Sequence, residues 1–528
     1  MIRPPYDGVV QFRQPWWPIL PALALGVVMT IWTVRSAMAI SGGVLVYGAD
    51  DAYIEMALAR TLAGHGVWGV TPDAFAGVGT SLAWPLLLAA AFRLSVADWW
   101  PLALASAASL GVVLVSAVAL RRYVPPSWEA LALLGVTGGA SLPALTMLGM
   151  EHPLQMAATI ALACMAARAL AAGAADPGAR ETLQLGCLAA VAVAARYDTA
   201  ALVSGVVGVA MMRGQWRVAA GVAAGALLPA LVYAGVAGAH GWPLIPVTLA
   251  KTPVAQMDLH TLSGWWLLLV RGPLGTLWRA PYLLALMGAA AVLAMRPSQV
   301  RAGLDRECRV LLRLFLIAAV AQILFGLPAE YGDYRYDAWI VGLGVVATGA
   351  AAGLGGWPRR GPVWIAVILV AAPLTLHGVT LVGQSLENVR RHFSAGHQVG
   401  LFLRDAGLPA YPAVHELGAA SWLTGRPVLD LEGLSTPDVR IATQTGDWTP
   451  ARFNTLAAAL GTRVAAAFGV KDEPFPSTWR RVGEWWADGT LQYVFLAADT
   501  QTASALRQAL EAFDARLPAG VTRVDAGW

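Results

Sequence analysis

The sequence predicts a polytopic α-helical membrane protein with about eleven transmembrane helices and a soluble α/β domain at its C-terminal end. Three observations carry this. Hydrophobic residues make up 57% of the 528 residues and charged residues only 13%. Apolar runs near spanning length, which is about 20 residues, recur as far as residue 382. Beyond residue 383 the long runs stop, charge rises, and short strand-like and helical pieces alternate. The 22 Trp suit the two interfaces of a bilayer. The net charge of +4 gives no footprint for nucleic acid, because the basic residues sit in short clusters between apolar runs.

The apolar segments fall at about 17–40, 101–120, 128–148, 154–172, 182–196, 199–212, 217–237, 280–295, 310–326, 337–355 and 362–382. The first is long and lacks a small-residue cleavage site, so it reads as a retained anchor. Arg121-Arg122, Arg168 with Arg180, Arg213 with Arg217, the run Arg296 to Arg309, and Arg359-Arg360 fall in alternate loops. The positive-inside rule makes those loops cytoplasmic. The N-terminus, with Arg3 and Arg13, is then cytoplasmic and the C-terminal domain extracytoplasmic. Residues 81–97, SLAWPLLLAAAFRLSVA, would invert every later loop if they crossed, so they read as an interfacial or re-entrant helix. Residues 1–382 thus form the membrane part, with 41–100 as its first outer loop, and 383–528 the outer domain. PVLDL and LQYVFLA read there as strands and TASALRQALEAFDARL as a helix. Cys164, Cys187 and Cys308 all lie before it, so no disulfide framework operates in that domain.

The pair Asp50-Asp51 follows the first apolar segment. Adjacent carboxylates repel, which raises one pKa or draws in a cation, and either outcome serves an enzyme that removes a proton from a hydroxyl. The same pair also fits the start of a helix through Tyr53, Ile54 and Met56. The topology puts further ionisable groups on the same side: His65, Glu151 and His152 in GMEHP, Arg196 and Asp198 in ARYD, Lys251, and Glu330, Asp333, Arg335 and Asp337 in AEYGDYRYDAW, beside Tyr334. Charge at membrane depth is costly and usually faces a cavity or a partner. Lys251 is one of only two Lys beside 34 Arg. A compact ammonium suits a phosphate, though a snorkelling interfacial Lys fits too. Arg196 with Asp198 also fits a structural ion pair, Glu151-His152 a helix cap, and Arg335 among tyrosines an aromatic-belt anchor.

Cations Lys251, Arg196 and Arg335 with an acidic pair, at a membrane surface, fit transfer of a sugar from a lipid phosphate to an alcohol. One carboxylate deprotonates the acceptor and the cations stabilise the departing phosphate. No GxGxxG or Walker sequence stands in a strand–helix context, so no nucleotide cofactor is expected. The alternative is a transporter or flippase for a lipid-linked sugar, against which stand the one-sided placement of these groups and the lack of an inverted repeat.

In order along the chain, DDAYIEMALARTLAGHG and GTSLAWPLLLA resemble the first outer loop of polytopic GT-C glycosyltransferases. The branch they resemble most contains the mycobacterial terminal arabinofuranosyltransferases, with DDAFI…RNLAxGxG…TSPLW. GMEHPL is similar to GLExPL, ARYD to RPD, HGWPLIPVTLAK to GxPxPNTxxAK, and VHELGAASWLTGRPVLDLEGLSTPDV to a stretch ending in DLxGL. The resemblance covers most of the chain. It implies a GT-C-like fold and an inverting enzyme of the bacterial inner (plasma) membrane. The donor would be a polyprenyl-phosphate sugar, with arabinofuranose the leading choice, and the acceptor an envelope glycan, lipid glycan or protein. It further implies Asp50 or Asp51 as the base, Asp50 preferred, with Asp51 binding a divalent metal (Mg²⁺, Mn²⁺ or Ca²⁺) or orienting the acceptor. Lys251 and Arg196, and less directly Arg335, would lie at the donor phosphate; Glu151, His152, Asp198, His65 and Tyr334 would contact substrate. Tyr197 and Val247 stand where the branch has Pro and Asn, and TPDAFAGVGTSLAW lacks the branch's Glu, which bears on the sugar more than on the reaction class.

Overall fold

The computed structural model describes residues 15–172, 177–246, 261–295, 302–325, 335–354, 363–408, 411–469 and 474–526. Helix α1 (Ile19–Ile40) is followed by α2 (Asp50–His65), α3 (Ala83–Phe92), α4 (Trp100–Leu120), α5 (Pro126–Gly139), α6 (Leu142–Leu148), α7 (His152–Ala171), α8 (Ala179–Ala195), α9 (Ala200–Met212) and α10 (Trp216–Ala239). After a helical stretch at 262–279 come α11 (Pro281–Ala294), α12 (Ala302–Phe325), α13 (Ala338–Leu354) and α14 (Val363–Ser394).

Every apolar segment read from the sequence coincides with helix, but six helical stretches among the described residues are long and apolar enough to cross a membrane. They are Ile19–Ile40, Trp100–Leu120, Pro126–Leu148 (α5 and α6 together), His152–Ala171, Trp216–Ala239 and Val367–Asp405. Of the others, α8, α9 and α13 have 17, 13 and 17 residues, α12 opens with Asp305, Arg306, Glu307 and Arg309, and α11, with 14 residues, qualifies as a seventh span only together with Leu262–Thr276, from which it bends by 97°. Length and composition therefore do not establish eleven crossings. Helix α3, with ten residues, is about 15 Å long, half a hydrocarbon core.

Helix α14 runs unbroken through residue 383, where the change in composition marks a boundary. Its 32 residues reach about 48 Å, well beyond about 30 Å of hydrocarbon. The last turns carry Glu387, Arg390, Arg391 and His392 to the C-terminal unit, the expected outer domain and called the outer unit below, where Arg390 pairs with Asp488. That unit contains α15 (Gly396–Asp405), β1 (Ala413–Val414), α16 (Leu417–Thr424), β2 (Leu429–Asp430), α17 (Pro437–Thr445), α18 (Pro450–Leu460), β3 (Val464–Phe468), β4 (Arg480–Ala487), β5 (Thr490–Ala497), α19 (Thr500–Phe513) and β6 (Val521–Asp525). Its sheet has the order β2-β1-β3-β5-β4-β6. β1 pairs parallel with β2 and β3, and the remaining pairs are antiparallel. The β4–β5 turn is Asp488-Gly489 with φ of 49° and 74°, the left-handed pair that a two-residue hairpin of this type requires.

Two apolar cores matter for the site. One fills the bundle around Phe315 and Trp339. The other joins α2 and α3 to the outer sheet, through Tyr53, Trp84, Phe402, Trp485 and Phe495. Residues 52–59 of α2 are all buried, because the bundle covers one side of that helix and the outer unit the other. Helices α2 and α3 are thus the layer between the two parts of the molecule.

Candidate active site

Asp50 and Asp51 open α2, after Ala49 in extended conformation. Successive helical residues diverge by about 100°, so the two carboxylates leave in different directions and do different things. Asp51 turns to the bundle, where its Oδ2 lies 2.7 Å from Nη1 of Arg335. Its side chain keeps 34% exposure while that of Arg335 keeps 10%. Asp50 turns to the outer unit. Its Oδ2 accepts the Gly418 amide at 2.6 Å and its Oδ1 the Ala419 amide at 2.7 Å. A carboxylate from 368 residues away therefore satisfies amides that the first turn of α16 leaves without intrahelical partners.

Burial pushes the Asp50 carboxyl up to about 6, against the pull of the two amides and with a further push from Asp51. Gly418 makes this approach possible: a Cβ there would stand 2.2 Å from the Asp50 carbonyl oxygen and 2.7 Å from the Ile54 nitrogen. Both are backbone atoms of α2 and cannot swing aside. Gly418→Ala is expected to cost at least the 1–3 kcal/mol or so typical of overpacking. Thermal unfolding in detergent should show a clear loss, and an unchanged midpoint would mean that α2 and α16 are not held this closely.

Arg196 ends α8 in extended conformation, which points its side chain into the bundle. Its Nη1 lies 2.8 Å from Oε1 of Glu151 and 3.2 Å from Nε2 of His152, and its Nε lies 3.3 Å from Oδ2 of Asp198. Gln155 Nε2 donates to Asp198 Oδ1 at 2.6 Å. Glu151 is fully buried. Tyr336 joins the two arginines, with its ring 5.1 Å from the Arg196 guanidinium and 5.0 Å from that of Arg335. The path Asp51–Arg335–Tyr336–Arg196–Glu151 thus brings together segments remote in sequence. The guanidinium of Arg196 pairs with the carboxylates of Glu151 and Asp198, whereas that of Arg335 pairs with the partly exposed Asp51.

Sequence reasoning missed Glu55. It lies one helical turn after Asp51 and is 1% exposed. Its Oε1 accepts the Thr80 amide at 2.9 Å, and the Thr80 hydroxyl donates to Glu151 at 3.0 Å. Oε2 is buried without a partner. Burial, the charge of Glu151 and that of Asp51 push this carboxyl well up. The signal was an acidic residue inside the apolar run AYIEMALA, four positions after Asp51. Glu55→Gln keeps the acceptor for Thr80 and should leave the melting temperature near wild type. Glu55→Ala strands that amide and should cost about 1–3 kcal/mol; equal melting of the two variants would remove Glu55 from this role.

Other expected site residues lie elsewhere. His65 is exposed at the far end of α2, about 21 Å along the axis from Asp51, and does not join the cluster. Lys251 and Tyr334 lie outside the described residues. Among the described residues, Asp50, His392 and Glu416 form a group that could hold a metal ion, and Asp51 is not a member of it. Asp51 faces a guanidinium, which occupies the place a cation would take. In the DLEGL stretch, Asp430 is fully buried and accepts amides of Glu432 and Ser435. That part of the sequence resemblance closes a turn. A cavity of about 670 Å³ opens beside Tyr336, lined by Arg279, Tyr282, Gln322, Asp337, His377 and Gln384 among others.

No family model and no curated protein matches the sequence. Solved structures share its fold. The Archaeoglobus fulgidus oligosaccharyltransferase in the apo form superposes with a TM-score of 0.52 at 10% identity, over 96% of this chain and 79% of that one. ArnT from Cupriavidus metallidurans, bound to undecaprenyl phosphate, superposes with a TM-score of 0.50 at 12% identity, over 92% and 98%. At such identity the likeness is one of fold. The chain shares their architecture, a largely helical part followed by a mixed sheet.

Proposed function

We propose that the protein is an inverting glycosyltransferase that moves a sugar from a polyprenyl-phosphate donor to a hydroxyl of a cell-envelope glycan, lipid glycan or protein. The observation that carries this reading is the pair Asp51–Arg335: a partly exposed carboxylate facing a largely buried guanidinium at 2.7 Å. Asp51 takes the proton of the acceptor hydroxyl as that oxygen attacks the anomeric carbon. Arg335 receives the phosphate that leaves from the opposite face. Donor phosphate competes with Asp51 for Arg335 and frees the carboxylate for its task. This reading prefers Asp51 to Asp50, whose oxygens are already engaged with Gly418 and Ala419.

Arg196 and Glu151 position Tyr336 and Arg335 and do not touch substrate. The cavity beside Tyr336, lined by polar and apolar side chains and reaching neither Asp51 nor Arg335, is the proposed place of the part of the donor that adjoins the phosphate. The likeness in fold to a structure bound to undecaprenyl phosphate supports a lipid-phosphate donor. The proposed membrane is the bacterial inner membrane. The arrangement proposed there has eleven crossings, the N-terminus inside, and Asp51, Arg335 and the outer unit on the extracytoplasmic side.

Arabinofuranose is the proposed sugar, on the sequence resemblance alone. A panel of short-chain polyprenyl-phosphate sugars (arabinofuranose, mannose, glucose) offered to protein in nanodiscs with an envelope oligosaccharide tests this. Mass spectrometry should show acceptor extended by a pentose. Extension by a hexose alone would refute the sugar and keep the reaction class; no extension from any donor would count against the class.

A further inference from the structure

Asp50 has a second set of neighbours that the proposed transfer does not use. The carboxyl of Glu416, in the turn after β1, meets that of Asp50, and His392, in the last turn of α14, completes a group of three. One ligand atom from each lies within 4.8 Å of the others. Two half-buried carboxyl groups this close repel unless a proton or a cation lies between them. An independent observation separates these cases: His392 is 6% exposed and its Nε2, one of the two ring nitrogens that can ligate a metal, is buried without a hydrogen-bond partner. A shared proton would satisfy the two carboxyls and leave the imidazole nitrogen unexplained, whereas a metal ion uses all three.

The surroundings are built for such a group. The His392 ring stacks on Tyr53 with centroids 5.2 Å apart, which fixes its plane. The Gly418 and Ala419 amides hold Asp50 from behind, as outer partners orient metal ligands elsewhere. At Gly396 a Cβ would stand 2.7 Å from the Glu416 carboxyl carbon, so only glycine leaves that carboxyl its place.

We propose that Asp50, His392 and Glu416 bind one divalent transition-metal ion, Zn²⁺ by donor type, which clamps the outer unit and the end of α14 onto the helix that carries Asp51. An imidazole with two carboxylates favours zinc over magnesium or calcium, which take all-oxygen sites. The site is distinct from the Asp51–Arg335 pair, and its binding of metal does not depend on the sugar-transfer reading.

The test uses the full chain in nanodiscs, without a histidine tag, stripped with chelator and dialysed. Zn²⁺ added to it should be retained at about one equivalent per chain by elemental analysis and should raise the melting temperature. His392→Gln and Glu416→Gln should each lower zinc affinity by roughly tenfold or more. Co²⁺ loaded in place of zinc reports ligation directly: its visible absorption should change in His392→Gln even if that variant melts lower. Failure of the wild type to retain zinc, retention of magnesium only, or zinc binding by both variants equal to that of the wild type would overturn the proposal.

Discussion

Asp51→Asn is expected to lower sugar transfer by about 10²- to 10⁴-fold, the range for loss of a general base, while leaving the melting temperature close to wild type. The asparagine keeps the size of the side chain and remains in a partly exposed position. It loses the charge that pairs with Arg335 at 2.7 Å and the ability to take a proton. Donor binding should be unchanged or tighter, because Arg335 no longer divides its charge between Asp51 and phosphate. Asp50→Asn should behave in the opposite way. Its amide nitrogen cannot accept, so one of the Gly418 and Ala419 amides is stranded. The outer unit loosens and melting falls, with transfer retained at temperatures where the fold holds. If Asp50→Asn abolished transfer with normal melting and Asp51→Asn did not, the two carboxylates would exchange roles.

Arg196→Ala is expected to be the most destabilising single change in the site. It leaves Glu151, with no exposed surface, and Asp198 without their cation. Breaking a buried pair by removing one partner costs about 3–5 kcal/mol, because a carboxylate then remains at depth uncompensated. The effect should appear as a short half-life of the purified protein on heating, the meaningful scale for a membrane protein that unfolds irreversibly. A double variant separates charge from shape. Glu151→Gln added to Arg196→Met removes the stranded charge and should recover a large part of the loss. No recovery would mean that packing around Tyr336, and not the carboxylate, sets the cost.

The sequence made the membrane class legible through the spacing of apolar runs, and the outer fold partly so. The strand LQYVFLA and the helix in TASALRQALEAFDARL stand where they were expected, and Asp-Gly between WWA and TLQYV is a local turn signal that the structure uses. The candidate cluster was legible as a set of residue types. Asp51, Glu151, His152, Arg196, Asp198 and Arg335 do come together in one network.

Their pairings were not legible, because each contact crosses a long stretch of chain. The partner of Asp50 is the first turn of a helix 368 residues on, and nothing in VYGADDAY marks one carboxylate for the bundle and the other for the outer unit. Divergence of adjacent side chains on α2 decides that, once both neighbours are in place. The same holds for His392. In the sequence it is one of eight histidines in the chain, set in a basic stretch, and only the length of α14 carries it to Asp50 and Glu416. Helix α2 also shows why hydropathy underrated the first loop: its buried face goes all round because two separate bodies cover it.

Attack driven by Asp51, against a phosphate held by Arg335 on the opposite face, requires inversion at the anomeric carbon. Nuclear magnetic resonance of the product reads this, when wild-type protein is given a polyprenyl-phosphate sugar of defined anomeric configuration. The expected product carries a new glycosidic bond of the opposite configuration, absent with Asp51→Asn. A product of retained configuration, or passage of the donor across a sealed bilayer with no bond formed, would contradict this mechanism.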